Sequence, residues 1–249
     1  PLRRQRQMCI RDSIRAVYDS NIRSLCIESR PHPDFCGPGW WRDMDIILEE
    51  ARQRDMKVWI LDDSHFPTGY ANGAMKNASV QLYRQSVYCK QIDLDSDVEL
   101  FTCGLGKEIM EIPMSPLEKI LRESGKWKEP EYVFDDDRIL SVKAARRIKG
   151  DRVSQIIDVP YDDLEKKIEW RVPQGSWRIY ISILTRNAGY RRNYINMMDT
   201  ASCRLLLDAV YEPHYEHYAA YFGSTIAGFF SDEPELGLSP IHISEPTRH

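Results

Sequence analysis

The sequence predicts an α/β fold, a partial (β/α)8 barrel of the TIM type interrupted by an inserted antiparallel β domain. Three observations carry that prediction. Short apolar runs at 24–27, 57–61 and 226–230 are flanked by helical texture, the pattern of parallel strands joined by helices. Between about 79 and 189 the hydrophobic period changes to two, as in antiparallel strands. Each of the three apolar runs ends in polar residues, Glu28-Ser29-Arg30, Asp62-Asp63-Ser64-His65 and Ser231-Asp232-Glu233, and the C-terminal strand ends form the active face of a barrel.

Taken in order, residues 14–18 read as the end of a helix and 24–27 as a first strand. Residues 40–54 place Trp41, Met44, Ile47, Leu48 and Ala51 at helical spacing, with Asp43 and Asp45 near the N-terminal end where the helix dipole favours them. Lys57-Val-Trp-Ile-Leu61 is a buried strand. Strand candidates then follow at 87–94, 139–148, 153–159, 168–172 and 177–184, with Pro173-Gln-Gly-Ser176 as a turn, and a short helix is expected near 117–122 within a loop from 107 to 131. Helical texture returns at 200–222, capped by Asp199 or Thr200, and Pro213 should kink or split it. Residues 226–230 form the last strand.

The two ends read differently. Residues 3–13 resemble one reading frame of a transposase-type sequencing adapter, and 238–249 resemble the partner adapter, with Pro240 as a departure. The expected division is therefore non-native ends at 1–13 and 238–249, barrel parts at 14–78 and 190–237, and the β insertion at 79–189.

A chain of 249 residues that is 42% hydrophobic and 29% charged has the composition of a globular protein, which excludes disorder and coiled coil. No apolar run approaches the roughly 18 residues of a membrane span. The formal charge of -4, without a basic stripe, argues against nucleic acid as partner and for a neutral or small substrate. Six cysteines without CxxC spacing point to free thiols in a reducing compartment, so a cytoplasmic location is expected.

Carboxylates brought together from separate strands suit cleavage of a glycosidic bond, where one carboxyl protonates the leaving oxygen while another activates water or attacks the sugar. Glu233, followed by a direction-setting Pro234, is the expected proton donor, its acidity reduced by burial and by Asp232. Asp62 and Asp63 either contact substrate or cap local backbone. Trp40 and Phe66 offer flat faces to sugar rings, Glu28, Arg30 and Asp232 can bond hydroxyls, and His32 and His65 can orient them.

The strings Trp40-Trp-Arg-Asp-Met-Asp-Ile-Ile-Leu-Glu-Glu-Ala51, Lys57-Val-Trp-Ile-Leu-Asp-Asp-Ser-His-Phe-Pro-Thr-Gly-Tyr-Ala-Asn-Gly73 and Gly228-Phe-Phe-Ser-Asp-Glu-Pro-Glu235 resemble the barrel of glycoside hydrolase family 106, the α-L-rhamnosidase-like enzymes and their bacterial relatives. The resemblance covers most of 14–237. It implies an exo-acting glycosidase on a (β/α)8 barrel, with a carbohydrate substrate and calcium-assisted binding as an option. No calcium-ligand loop of convincing spacing is visible, and His65-Phe66 stands where the family tends to have tryptophan.

The expected function is accordingly that of a glycoside hydrolase fragment, inactive by itself because further strands and a second carboxylate are missing. Two alternatives remain open. One is a carbohydrate-binding barrel that does not cleave. The other is a metal-dependent hydrolase using Asp62, His65 and Asp232, with His214 and His217 three apart on a helix as a further ligand pair.

Overall fold

The computed structural model describes residues 2–106, 114, 116–126, 132–149, 152–189 and 192–235. The chain forms two compact units, one of Pro1–Arg84 with Asn193–His249 and one of Gln85–Arg192.

The first unit runs through α1 (Leu2–Asp19), β1 (Ser24–Ile27), α2 (Pro38–Gln53) and β2 (Lys57–Leu61). After the second unit it resumes with α4 (Thr200–Leu206), α5 (Glu212–Tyr218) and β10 (Ile226–Phe230). Its sheet has the order β1-β2-β10, with both pairs parallel. The inward side chains Val58 and Ile60 of β2 and Met44, Leu48 and Ala51 of α2 are all fully buried. The start of α2 is set by Pro38 in its first turn and by the Asp34 carboxylate, which accepts the Gly39 N–H at 2.5 Å. A Cβ on Gly37 or Gly39 would overlap that carboxylate.

No closed barrel is present among the described residues, so the (β/α)8 expectation is corrected. The parallel sheet is open and three-stranded, and the other two sheets, both in the second unit, are antiparallel. A strand-helix-strand pattern dictates that neighbouring strands run parallel, but not how many follow. Closing such a barrel takes about eight strands with matched tilt and stagger. Trp59 and Phe230 remain 40% and 48% exposed on this open sheet.

The helical stretch after 199 is split, and the reason is local. Asp199 caps α4 by accepting the N–H groups of Ala201 and Ser202. Pro213 has no N–H to offer the carbonyl four residues back, and the chain widens into a π-type turn over Leu207–Tyr211 before α5 begins. Residues 3–13, expected to be non-native, lie within α1, where Arg6 and Arg11 pair with Asp43 and Glu50 of α2 at 2.8 and 3.2 Å. Residues 238–249 lie outside the described residues.

The second unit contains β3 (Ser86–Leu94), β4 (Leu100–Gly104), α3 (Pro116–Glu123), β5 (Arg138–Lys149), β6 (Arg152–Asp158), β7 (Tyr161–Asp162), β8 (Lys167–Arg171) and β9 (Trp177–Thr185). They make two antiparallel sheets, β3-β9-β5-β6 and β4-β8-β7. Burial alternates residue by residue along β9, with Trp177, Ile179, Ile181 and Ile183 turned inward. These join Ile168 and Trp170 in one core, where Trp170 and Trp177 meet edge to face at 5.6 Å. The strands β4 and β7 were not foreseen; both are short, and β7 is two residues long.

Candidate functional site at the ends of the parallel strands

Because β1, β2 and β10 are parallel neighbours, their C-terminal ends lie along one edge of the sheet. Arg30, just past β1, is the centre of the polar cluster there. Its Nε and one terminal nitrogen donate to the two Glu28 oxygens at 2.6 and 2.7 Å, a forked arrangement, while the other terminal nitrogen donates to Asp232 Oδ2 at 2.8 Å. The bond from Arg30 holds the Glu28 carboxyl below its ordinary range, and Glu28 in turn raises the Arg30 guanidinium. Phe66, 46% exposed, lies under the Arg30 guanidinium at 5.5 Å. His65 is exposed beside it, its Nδ1 2.9 Å from the Ser64 hydroxyl.

Asp62 and Asp63 are fully buried and serve as structural hubs. Asp62 Oδ1 accepts the Thr68 hydroxyl at 2.6 Å, and Oδ2 accepts the Tyr211 hydroxyl at 2.7 Å and that of Ser231. Burial raises the Tyr211 phenol, and its bond to Asp62 adds to the effect. Asp63 Oδ2 accepts the N–H groups of Gly69, Tyr70 and Ala71 at 2.7 to 2.9 Å, and Oδ1 accepts that of Asn72 at 3.0 Å. One carboxylate thereby satisfies four successive donors of a loop in which Ala71 and Asn72 have positive φ. The Ser29 hydroxyl completes the join between β1 and β2 by donating to the Asp63 carbonyl at 2.5 Å.

Trp40 and His32 also prove to be packing residues rather than parts of an open sugar platform. Trp40 is 2% exposed, and its indole N–H donates to His214 Nε2 at 2.8 Å. His32 packs edge to face on Trp40, with Nε2 3.3 Å from Asp43 and Nδ1 accepting the Asp34 N–H. Trp40 shares the buried side of α2 with Met44, Ile47, Leu48 and Ala51, whereas Trp41, which helical spacing placed in the core, is half-buried.

Glu233 is exposed, not buried as the sequence reading expected. Its backbone is nonetheless unusual, with φ at +45°, a left-handed conformation that costs a non-glycine residue about 1–3 kcal/mol and tends to persist at functional positions. Asp232, half-buried, is oriented toward Arg30.

Of the residues named for a metal, Asp62 accepts three hydroxyls, Asp232 pairs with Arg30 and His65 lies against the Ser64 hydroxyl. No group of three His, Cys, Asp or Glu among the described residues is placed to hold a metal ion. His214 is buried with both ring nitrogens engaged, Nδ1 donating to the Val210 carbonyl at 2.6 Å while Nε2 accepts from Trp40. His217 stacks on Trp41 at 4.0 Å.

Burial lowers the His214 pKa to about 4. The folded protein therefore favours neutral imidazole, and its stability is intact above about 6.5, where the unfolded residue is also neutral. As pH falls from there toward 4, the unfolded chain gains a proton that the folded one refuses. The expected loss from this residue is about 3 kcal/mol, read as a drop in urea stability that shrinks in His214→Gln. An equal drop in the variant would count against the assignment.

Thr68, Tyr194, Tyr211 and Ser231, which hold this edge together, were missed. Apart from the Thr68–Asp62 bond, which spans six residues, each hydroxyl bonds a group more than a hundred residues away, and no periodicity or spacing marks such a residue. No helix among the described residues is long and apolar enough to cross a membrane. Comparisons with protein-family models, curated proteins and solved structures found no match for the chain.

Proposed function

We propose that the strand-end cluster binds the terminal sugar of a glycoside and that the chain is part of a glycoside hydrolase in which Glu233 donates the proton to the leaving oxygen. The observation that carries this reading is the Arg30 guanidinium held between Glu28 and Asp232 beside the exposed Phe66 ring. That combination presents fixed polar atoms for hydroxyls next to an apolar face, the mixture by which pyranose rings are recognised. Glu233 adjoins it, the exposed residue that follows Asp232 at the end of β10. The six cysteines are free thiols, which supports a reducing, cytoplasmic setting.

A second reading, sugar binding without cleavage, is favoured by the commitment of the other carboxylates. Asp62 and Asp63 are buried in hydrogen bonds, and Glu28 and Asp232 pair with Arg30, so none of the four is poised as the second catalytic carboxylate. On either reading this 249-residue chain should bind sugar and not hydrolyse it. Saturation-transfer NMR with methyl α-L-rhamnoside and methyl glucosides is expected to show millimolar binding that Phe66→Ala and Arg30→Met abolish. No binding to any of them would sink the proposal. Turnover of an aryl glycoside by the chain would discard the second reading and, with it, the expectation that this chain alone is inactive. In a longer active form, Glu233→Gln should impair a natural glycoside more than one with an activated leaving group.

A further inference from the structure

Thr68 joins the end of β2 to the end of β10 through its hydroxyl, its N–H and its carbonyl. It is 1% exposed. Its hydroxyl has one proton, given to Asp62 Oδ1 at 2.6 Å, which turns a lone pair toward the Asp232 N–H at 2.9 Å. Its own N–H donates to the Asp232 carbonyl at 3.0 Å, so Thr68 and Asp232 exchange two bonds. Its carbonyl accepts the Tyr194 hydroxyl, which in turn accepts the Glu235 N–H at 2.8 Å. The Ser231 hydroxyl donates to the same Asp62 carboxylate. Residues 231, 232 and 235 are thus anchored, directly or through one group, to a single buried threonine and the aspartate it bonds.

What that anchoring controls is the third arm of the Arg30 cluster. Glu28 lies two residues from Arg30 and follows it locally, whereas Asp232 is 202 residues away and reaches Arg30 only if its backbone is correctly placed. We propose that Thr68 is a positioning residue, which sets the Asp232 backbone and thereby holds the Arg30 guanidinium in its working orientation. The inference rests on the sugar-site reading for its binding consequence alone; the placement of Arg30 is measurable without any sugar.

The test uses the 249-residue chain with Thr68→Val, which keeps the shape and removes the hydroxyl, and Thr68→Ser, which restores it. Proton exchange at the Arg30 terminal nitrogen that donates to Asp232, assigned by its loss in Arg30→Lys, is the readout that a merely structural role would not move selectively. Removing the hydroxyl is expected to accelerate that exchange, and to weaken methyl glycoside binding, by roughly tenfold each. Thr68→Ser should stay within about threefold of the parent, a difference of well under 1 kcal/mol. In an Asp232→Asn background the effect of Thr68→Val on the Arg30 signal should largely vanish, because the two changes act through one path.

An unchanged Arg30 signal in a folded Thr68→Val chain overturns the proposal, as does a Ser variant as impaired as the Val variant. Should Thr68→Val fail to fold, Thr68→Ala removes the same hydroxyl without placing a methyl group against Asp62, and the same outcomes apply. Absence of sugar binding in the parent chain defeats the sugar reading, and the exchange measurement still decides the role of Thr68.

Discussion

Asp63→Ala is expected to destabilise the first unit by about 3–6 kcal/mol, since it removes the acceptor of four loop N–H groups and each hydrogen bond to a charged group is worth about 1.5–3 kcal/mol. The donors on Tyr70 and Asn72 are half-buried and can turn to water. Those on Gly69 and Ala71 are buried and cannot, so about two bonds' worth is lost without replacement. Asp63→Asn should cost about half as much as Ala, because its carbonyl oxygen can keep the three bonds made by Oδ2 while its amide opposes the Asn72 N–H. Urea unfolding monitored by tryptophan fluorescence measures both. A Val58→Ala control reports what a purely apolar truncation costs in the same strand. If Asp63→Ala lost less than about 1 kcal/mol, the loop would not depend on that carboxylate.

Gly69→Ala is expected to cost about 2–6 kcal/mol through two additive causes, a backbone strain of about 1–3 kcal/mol and overpacking of similar size. Gly69 has φ at +139°, a region that glycine enters freely and other residues rarely do. A Cβ there would overlap the Tyr194 ring and stand 2.5 Å from its hydroxyl oxygen. Tyr194 has little room to give way. It is fully buried, its hydroxyl bonds the Thr68 carbonyl and the Glu235 N–H, and burial pushes its phenol up to about 12. Placing Gly69→Ala in a Tyr194→Leu background separates the causes, since the steric part should disappear and the strain part remain. Full additivity of the two substitutions would show that Tyr194 is not the obstacle.

Both predictions concern Leu-Asp-Asp-Ser-His-Phe-Pro-Thr-Gly, the segment in which sequence reasoning placed substrate contacts at both aspartates. Capping of local backbone was the competing use of those residues, and the structure assigns Asp63 to it. Two adjacent carboxylates at a strand end read alike in sequence whether they face a ligand or a loop. Only the path of the following residues distinguishes them. Trp40 and Trp41 pose the same difficulty, because helical periodicity locates an apolar stripe to within about one residue, and a single-residue error moves a tryptophan from the rim to the core.

By itself the sequence determined the features whose causes are local. The apolar runs at 24–27, 57–61 and 226–230 became the parallel strands, since a helix-linked apolar run has few other ways to bury itself. The period-two texture became antiparallel strands, and Pro213 broke its helix for want of one N–H. The gathering of Glu28, Arg30, Asp232 and Phe66 at one edge followed from parallel strand direction. Tertiary structure alone decided the rest. The parallel sheet stays open because closure is a property of the whole strand set, which no local pattern encodes. Asp62 and Asp63 are hubs because hydroxyl and N–H donors from distant segments converge on them, and hydrogen bonds between residues as far apart as Asp62 and Ser231 leave no trace in periodicity, composition or spacing.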